Sequence, residues 1–244
     1  MDFIDGIYNY CDRWCERCGM TAHCRVYASE NKSGDSDVRD PDNRKFWEEI
    51  SEIFAKTLRM LESEAERLGI TWDEEKLKKI GEEQARRHER IKKHPLLKVA
   101  QSYAELAREW LDEAQDLLQK KAEEWQQQYE MNIDRPGLRR DAEQLEDVMQ
   151  IIRWYQPQIQ VKLNRALHSR ESELKTEDAR GSAKVALIGM DRSTGAWGWL
   201  YQQFPEQEDD LLPILVSLER LSRDTEKTFP RARSFQRPGF DSQG

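Results

Sequence analysis

Four cysteines fall within fourteen residues, Cys11, Cys15, Cys18 and Cys24, and the rest of the chain has none. Their spacing is Cys11-x3-Cys15-x2-Cys18-x5-Cys24. Thiolates bind soft and borderline metals, and four of them complete a tetrahedral zinc site or the ligand set of an iron–sulfur cluster. On a helix the first three would stand at i, i+4 and i+7 and share a face. Gly19 could then turn the chain so that Cys24 supplies the fourth sulfur. The same spacing also suits a buried stripe, since a free cysteine packs as a small apolar residue. Confinement of every cysteine to one short segment favours a ligand set over packing.

A structural zinc site usually pairs two short knuckles across a longer loop. Here all four candidates lie in one run. Cys15-x2-Cys18-x4-His23 begins like a zinc knuckle, but its last cysteine would fall at Ala28. The expected cofactor is one [4Fe–4S] cluster or one zinc ion, with a slight preference for the cluster. The Cys11-x3-Cys15-x2-Cys18 triplet resembles the cluster-binding triplet of radical S-adenosylmethionine enzymes. That likeness covers eight residues, and the barrel of alternating strands and helices in that family has no counterpart here, so it implies no radical chemistry. The run FIDGIYNYCDRWCERC is similar to the start of an uncharacterised family of bacterial proteins, a resemblance that implies no activity.

Other chemistry finds less support. A di-iron bundle needs Glu-x-x-His on two helices. The residues three before His88, His94 and His168 are Ala85, Ile91 and Arg165, so a carboxylate-bridged metalloenzyme is the weakest reading and the histidines read as solvated or capping. Asp191 continues the apolar stripe of Val185, Ile188 and Trp199, and Glu146 lies beside Leu145 and Met149. A buried carboxylate needs a partner; Arg153, Arg165 or Arg192 could supply one in a structural salt bridge. The segment 181–199 is apolar and glycine-rich, but it lacks the spacing of a phosphate loop. Gly189, Gly195 and Gly198 read as sites of close helix packing. No serine sits in a recognisable nucleophile framework, so the chain reads as a non-enzyme.

The elements that would position these residues are helices. Ile4, Ile7, Cys11, Trp14 and Cys18 recur at steps of three and four, which predicts a helix from about Phe3 to Cys18. Residues 31–43 are polar and nonperiodic and read as a linker, with Asp42 or Asn43 able to cap the next helix. Phe46, Ile50, Phe54, Leu58, Leu61, Ala65 and Leu68 predict that helix as an amphipathic one ended by Gly69. A third, capped by Thr71 or Asp73, runs to about Lys93 and is broken by Pro95. A long helix over 96–128, a turn over 132–137, a helix over 138–169 kinked at Pro157, and helices over 176–203 and 208–225 complete the body. The tail 229–244 is either disordered or laid over the body through Phe229, Phe235 and Phe240. No alternating strand pattern is present. The expected fold is all-α: a bundle of about six helices over 44–228, with a metal knot over 1–30.

Composition limits the partners. Net charge is -8 with charged residues at 35%, which disfavours the phosphate backbone of nucleic acids. The basic group Arg86, Arg87, Arg90, Lys92 and Lys93 reads as a solvated helix face. No apolar run approaches the roughly 20 residues of a membrane span, and the N-terminus lacks the pattern of a signal peptide. The expected setting is the cytoplasm, where thiols stay reduced, and the expected partner is another protein. Redox or oxidant-sensing work by a cluster is the main alternative, with Asp12, Arg13, Glu16 and Arg17 as a solvent-facing docking edge.

Overall fold

The computed structural model describes residues 2–32, 44–69, 73–131, 138–171 and 176–241. All of its regular elements are helical: among the described residues there are eight α-helices, short 3-10 turns and no strand. The expected linker beyond residue 32, the caps at Asp42, Asn43 and Thr71, and the turn 132–137 lie outside the described residues.

The chain divides into two compact units, one of residues 1–8 and 15–88, the other of 9–14 and 89–244. The first holds α1 (Arg25–Lys32), α2 (Arg44–Arg67) and, as far as His88, α3 (Glu74–Lys92). Asp73 caps α3 by accepting the N–H groups of Glu75 and Lys76, each at 3.1 Å, which satisfies donors that have no partner inside the helix. Gly69, at φ 67°, follows α2 in the left-handed conformation that costs glycine least.

The second unit holds α4 (Pro95–Glu113), α5 (Gln115–Glu130), α6 (Leu138–Arg170), α7 (Thr176–Gln203) and α8 (Glu208–Thr228). The α6–α7 pair is its centre; α4 packs on α6 and α8, α8 packs on α7, and α5 packs on α6. Ile152, Tyr155, Ile159, Leu163 and Ala166 bring α6 to this core, and Ala183, Leu187, Met190, Trp197 and Leu200 bring α7. Burying each large side chain contributes about 1.5–3 kcal/mol. Pro95 occupies the first turn of α4, where its missing N–H costs nothing, and the His94 ring accepts the Leu96 N–H at 3.2 Å as the cap. α6 runs through Pro157 as one element.

Two expectations change, and one left open is decided. The single helix over 96–128 is two, α4 and α5, separated at Ala114 with ψ near 0°. Ala114 is a good helix former, so the break comes from tertiary packing: α4 serves α6 and α8, while α5 follows α6. The helix expected over 3–18 does not form. Its place is taken by 3-10 turns at Ile7–Asn9 and Cys15–Arg17, followed by another at Thr21–His23. Gly6 (φ 76°) and Arg13 (φ 60°) take the left-handed conformation, which a right-handed helix excludes. The tail is ordered over 229–241 and folds back on the second unit, with Phe229 and Ala232 buried.

No helix among the described residues is long and apolar enough to cross a membrane.

Candidate functional site

The non-helical course of the N-terminal segment decides what its cysteines can do, because the sulfurs of Cys11, Cys18 and Cys24 meet a local main chain instead of one shared helix face. In the first unit, Cys15 opens a 3-10 turn and its carbonyl accepts the Cys18 N–H at 3.2 Å. The Cys18 sulfur accepts the Met20 N–H at 3.4 Å, two residues on. The Cys24 sulfur accepts the Tyr27 N–H at 3.5 Å, at the start of α1, where it acts as the helix cap. Ile4 donates its N–H to the His23 carbonyl at 3.0 Å, which ties the first residues to the turn before Cys24. In the second unit, the Arg13 N–H reaches the Cys11 sulfur. Burial pushes the Cys11 thiol up, while that N–H and the Lys162 ammonium oppose the shift. Three of the four sulfurs thus accept a main-chain N–H. At Cys11 that bond opposes the upward push of burial; thiolate is the form that binds metal. Among the described residues, no three His, Cys, Asp or Glu side chains stand together as a metal ligand set.

The segment Asn9–Trp14 lies on α6 and α7 as a non-helical strap. Its carbonyls are received one after another by α6 side chains. Arg165 donates to the Asn9 carbonyl at 3.1 Å, Lys162 to that of Cys11 at 2.7 Å, and Trp154 to that of Asp12 at 3.0 Å. These carbonyls would otherwise have closed a helix. Trp14 stacks on Trp154 with ring centroids 5.0 Å apart, and the Tyr10 ring meets Phe235 of the tail edge-on at 4.8 Å. Asp12 faces inward. Its carboxylate accepts the Tyr155 hydroxyl in a short bond and the Arg192 guanidinium at 3.1 Å. The expectation that Asp12 faces solvent beside Arg13 is therefore corrected. Burial, then the Asp12 carboxylate, push the Tyr155 hydroxyl well above its usual range, so it stays a donor. Lys162 is 9% exposed, and burial pulls its ammonium down.

Two glycines permit this packing. A methyl group at Gly181 would fall 2.4 Å from the Tyr10 ring, and one at Gly189 2.9 Å from the Tyr155 ring. Of the three glycines expected to allow close approach, only Gly189 does so; Gly195 and Gly198 face open space.

The two singled-out carboxylates are corrected as well. Asp191 is half exposed and pairs with Arg233 of the tail at 2.6 Å, a residue absent from its expected partners. Glu146 is exposed and accepts from Gln150. A part-buried ionic group on these helices is instead Arg165 with Asp178, whose carboxylate also accepts the Ser169 hydroxyl at 2.6 Å. Burial pushes Asp178 up, but the hydrogen bonds from Arg165 and Ser169 outweigh it and hold the carboxyl below its usual range.

A depressed carboxyl contributes stability above its unfolded pKa, and loses it as pH falls through the lower folded value. The second unit should therefore weaken below about pH 4, the ordinary aspartate value. Asp178→Asn should lower stability at pH 7 by about 1 kcal/mol, allowing for the partial exposure of Arg165, and flatten the acid dependence. Urea midpoints of both proteins at pH 7 and pH 3 measure this; equal losses on acidification in the two would refute it.

Periodicity missed the strap and its receptors because Tyr155, Lys162 and Asp178 look like ordinary members of helical patterns. The one available signal was a lysine in phase with Tyr155 and Ile159. The chain matches no protein-family model, no curated protein and no solved structure.

Proposed function

We propose that this chain is a metal-binding helical protein that acts by contact with another protein, with Cys11, Cys15, Cys18 and Cys24 holding one [4Fe–4S] cluster or one zinc ion. The observation that carries the reading is the main-chain N–H directed at the sulfurs of Cys11, Cys18 and Cys24. Short local turns aim these amides at sulfur, the kind of outer hydrogen bond that orients a metal ligand. All four cysteines are half-buried and none is in a disulfide, which suits a reducing compartment such as the cytoplasm. Metal binding is then coupled to closure of the N-terminal turns, as in small metal-folded modules.

A redox or oxidant-sensing role is the second reading. Its support is that none of the four cysteines is fully buried, so a cluster held there would be within reach of solvent oxidants.

Purification without oxygen tests the proposal. A brown protein with iron and acid-labile sulfide selects the cluster, and reversible bleaching by an oxidant then selects the redox role. A colourless protein with one zinc per chain selects the structural site. Protein that stays metal-free after incubation with zinc, and after anaerobic incubation with iron and sulfide, would remove the reading.

A further inference from the structure

The first unit carries an apolar surface that the metal reading does not use. On α2, Trp47, Ile50, Phe54, Leu58, Leu61, Ala65 and Leu68 succeed one another in steps of three or four. Six steps cover the 21 positions between Trp47 and Leu68, a mean of about 3.5, the period that keeps a seam facing a second helix. Trp47, Phe54, Leu58, Leu61 and Leu68 are each more than half exposed, and so are Ile53 and Met60 beside the seam. Ile50 is half-buried and Ala65 buried. Isolated exposed apolar residues are common, but a continuous patch of this kind marks an interaction surface.

We propose that α2 pairs with α2 of a second copy of this chain, antiparallel, through this seam. Two arguments identify the occupant. The first is area. The seven exposed side chains offer on the order of 800 Å² per copy at roughly 100 Å² or more each, which is what each partner of a stable interface buries. The second is symmetry. Reversing the helix about its midpoint sets Trp47 against Leu68, Ile50 against Ala65 and Phe54 against Leu61, and brings Leu58 beside the Thr57 of its copy. The seam is thus self-complementary under a two-fold axis, as an isologous dimer requires. Antiparallel helix dipoles also attract. Parallel pairing would instead place Trp47 on Trp47 and crowd one end.

Sedimentation equilibrium of the full chain tests this, with and without metal, so that the outcome is independent of whether the cysteines bind. The expected mass is twice the 28.9 kDa of one chain. Leu58→Asp with Leu61→Asp should return it to a monomer with the far-ultraviolet helix signal largely kept. Lys56→Glu, on the opposite face of α2, should leave the dimer intact. Trp47→Cys with Leu68→Cys, oxidised and mapped by mass spectrometry, should link 47 to 68 between copies; links of 47 to 47 would overturn the antiparallel arrangement. A wild-type monomer at about 100 µM, a higher oligomer, or a dimer that survives the double aspartate variant would each overturn the proposal. So would a monomer that co-sediments with anionic lipid vesicles, which would assign the seam to a membrane surface.

Discussion

Cys15→Ser is expected to weaken metal binding by more than about 100-fold, beyond what the loss of an outer-sphere partner costs, while leaving the helix signal almost unchanged. The two halves of this result have separate causes. The segment around Cys15 and Cys18 is built of 3-10 turns with few main-chain hydrogen bonds, so a bound metal would supply much of its order. The helices of the second unit owe their stability to residues such as Ile152, Leu163, Leu187 and Leu200, all fully buried in one continuous core. Metal titration monitored by competition with a chelating dye, together with circular dichroism, measures both. Unchanged affinity would remove Cys15 from the ligand set; collapse of the helix signal would show that the turns and the helical body fold as one cooperative unit. The same measurement applies to Cys11→Ser, because Cys11 belongs to the strap that α6 holds.

Trp197→Ala should cost about 3–5 kcal/mol, the usual loss for emptying a buried aromatic site. That is a large share of the roughly 5–15 kcal/mol by which a domain is stable. Trp197 is fully buried in the last third of α7. Its ring meets Trp110 of α4 edge-on at 5.2 Å, and its indole N–H donates to the Tyr103 hydroxyl at 3.3 Å. One side chain therefore joins the central pair to α4. Trp197→Phe keeps most of the ring volume and loses the hydrogen bond, so it should cost much less, about 1–2 kcal/mol. Urea unfolding separates the two, and the midpoints should fall with little change in slope. A loss below about 1 kcal/mol for the alanine variant would mean that the α4–α7 contact is not part of the cooperative core.

Helical periodicity located most of the body. The steps of three and four from Ile50 to Leu68 and from Leu145 to Leu167 mark α2 and α6, and the proline after His94 marks the start of α4. These signals are legible because a helix satisfies its own main chain and needs only one apolar face. The same logic failed for residues 3–18. Ile4, Ile7, Cys11, Trp14 and Cys18 have helical spacing, yet a rival set of hydrogen bonds wins. Ala114 shows the complementary failure, a good helix former at a break set by packing. Asp191 and Glu146 show a third, since phase alone cannot say which face of a helix a neighbour covers.

What the sequence determined by itself is the all-helical class, the limits of α6 and α7 and the confinement of every candidate sulfur ligand to one short segment. Each of these depends on residues close together in the chain. Tertiary structure decided that the segment would be a strap and that Asp12 would turn inward to Tyr155 and Arg192. The physical reason is separation: the donors that hold the strap carbonyls, Trp154, Lys162 and Arg165, lie more than 140 residues further along the chain. A main-chain carbonyl has two ways to be satisfied, by its own helix or by a distant side chain, and only folding brings the second within reach.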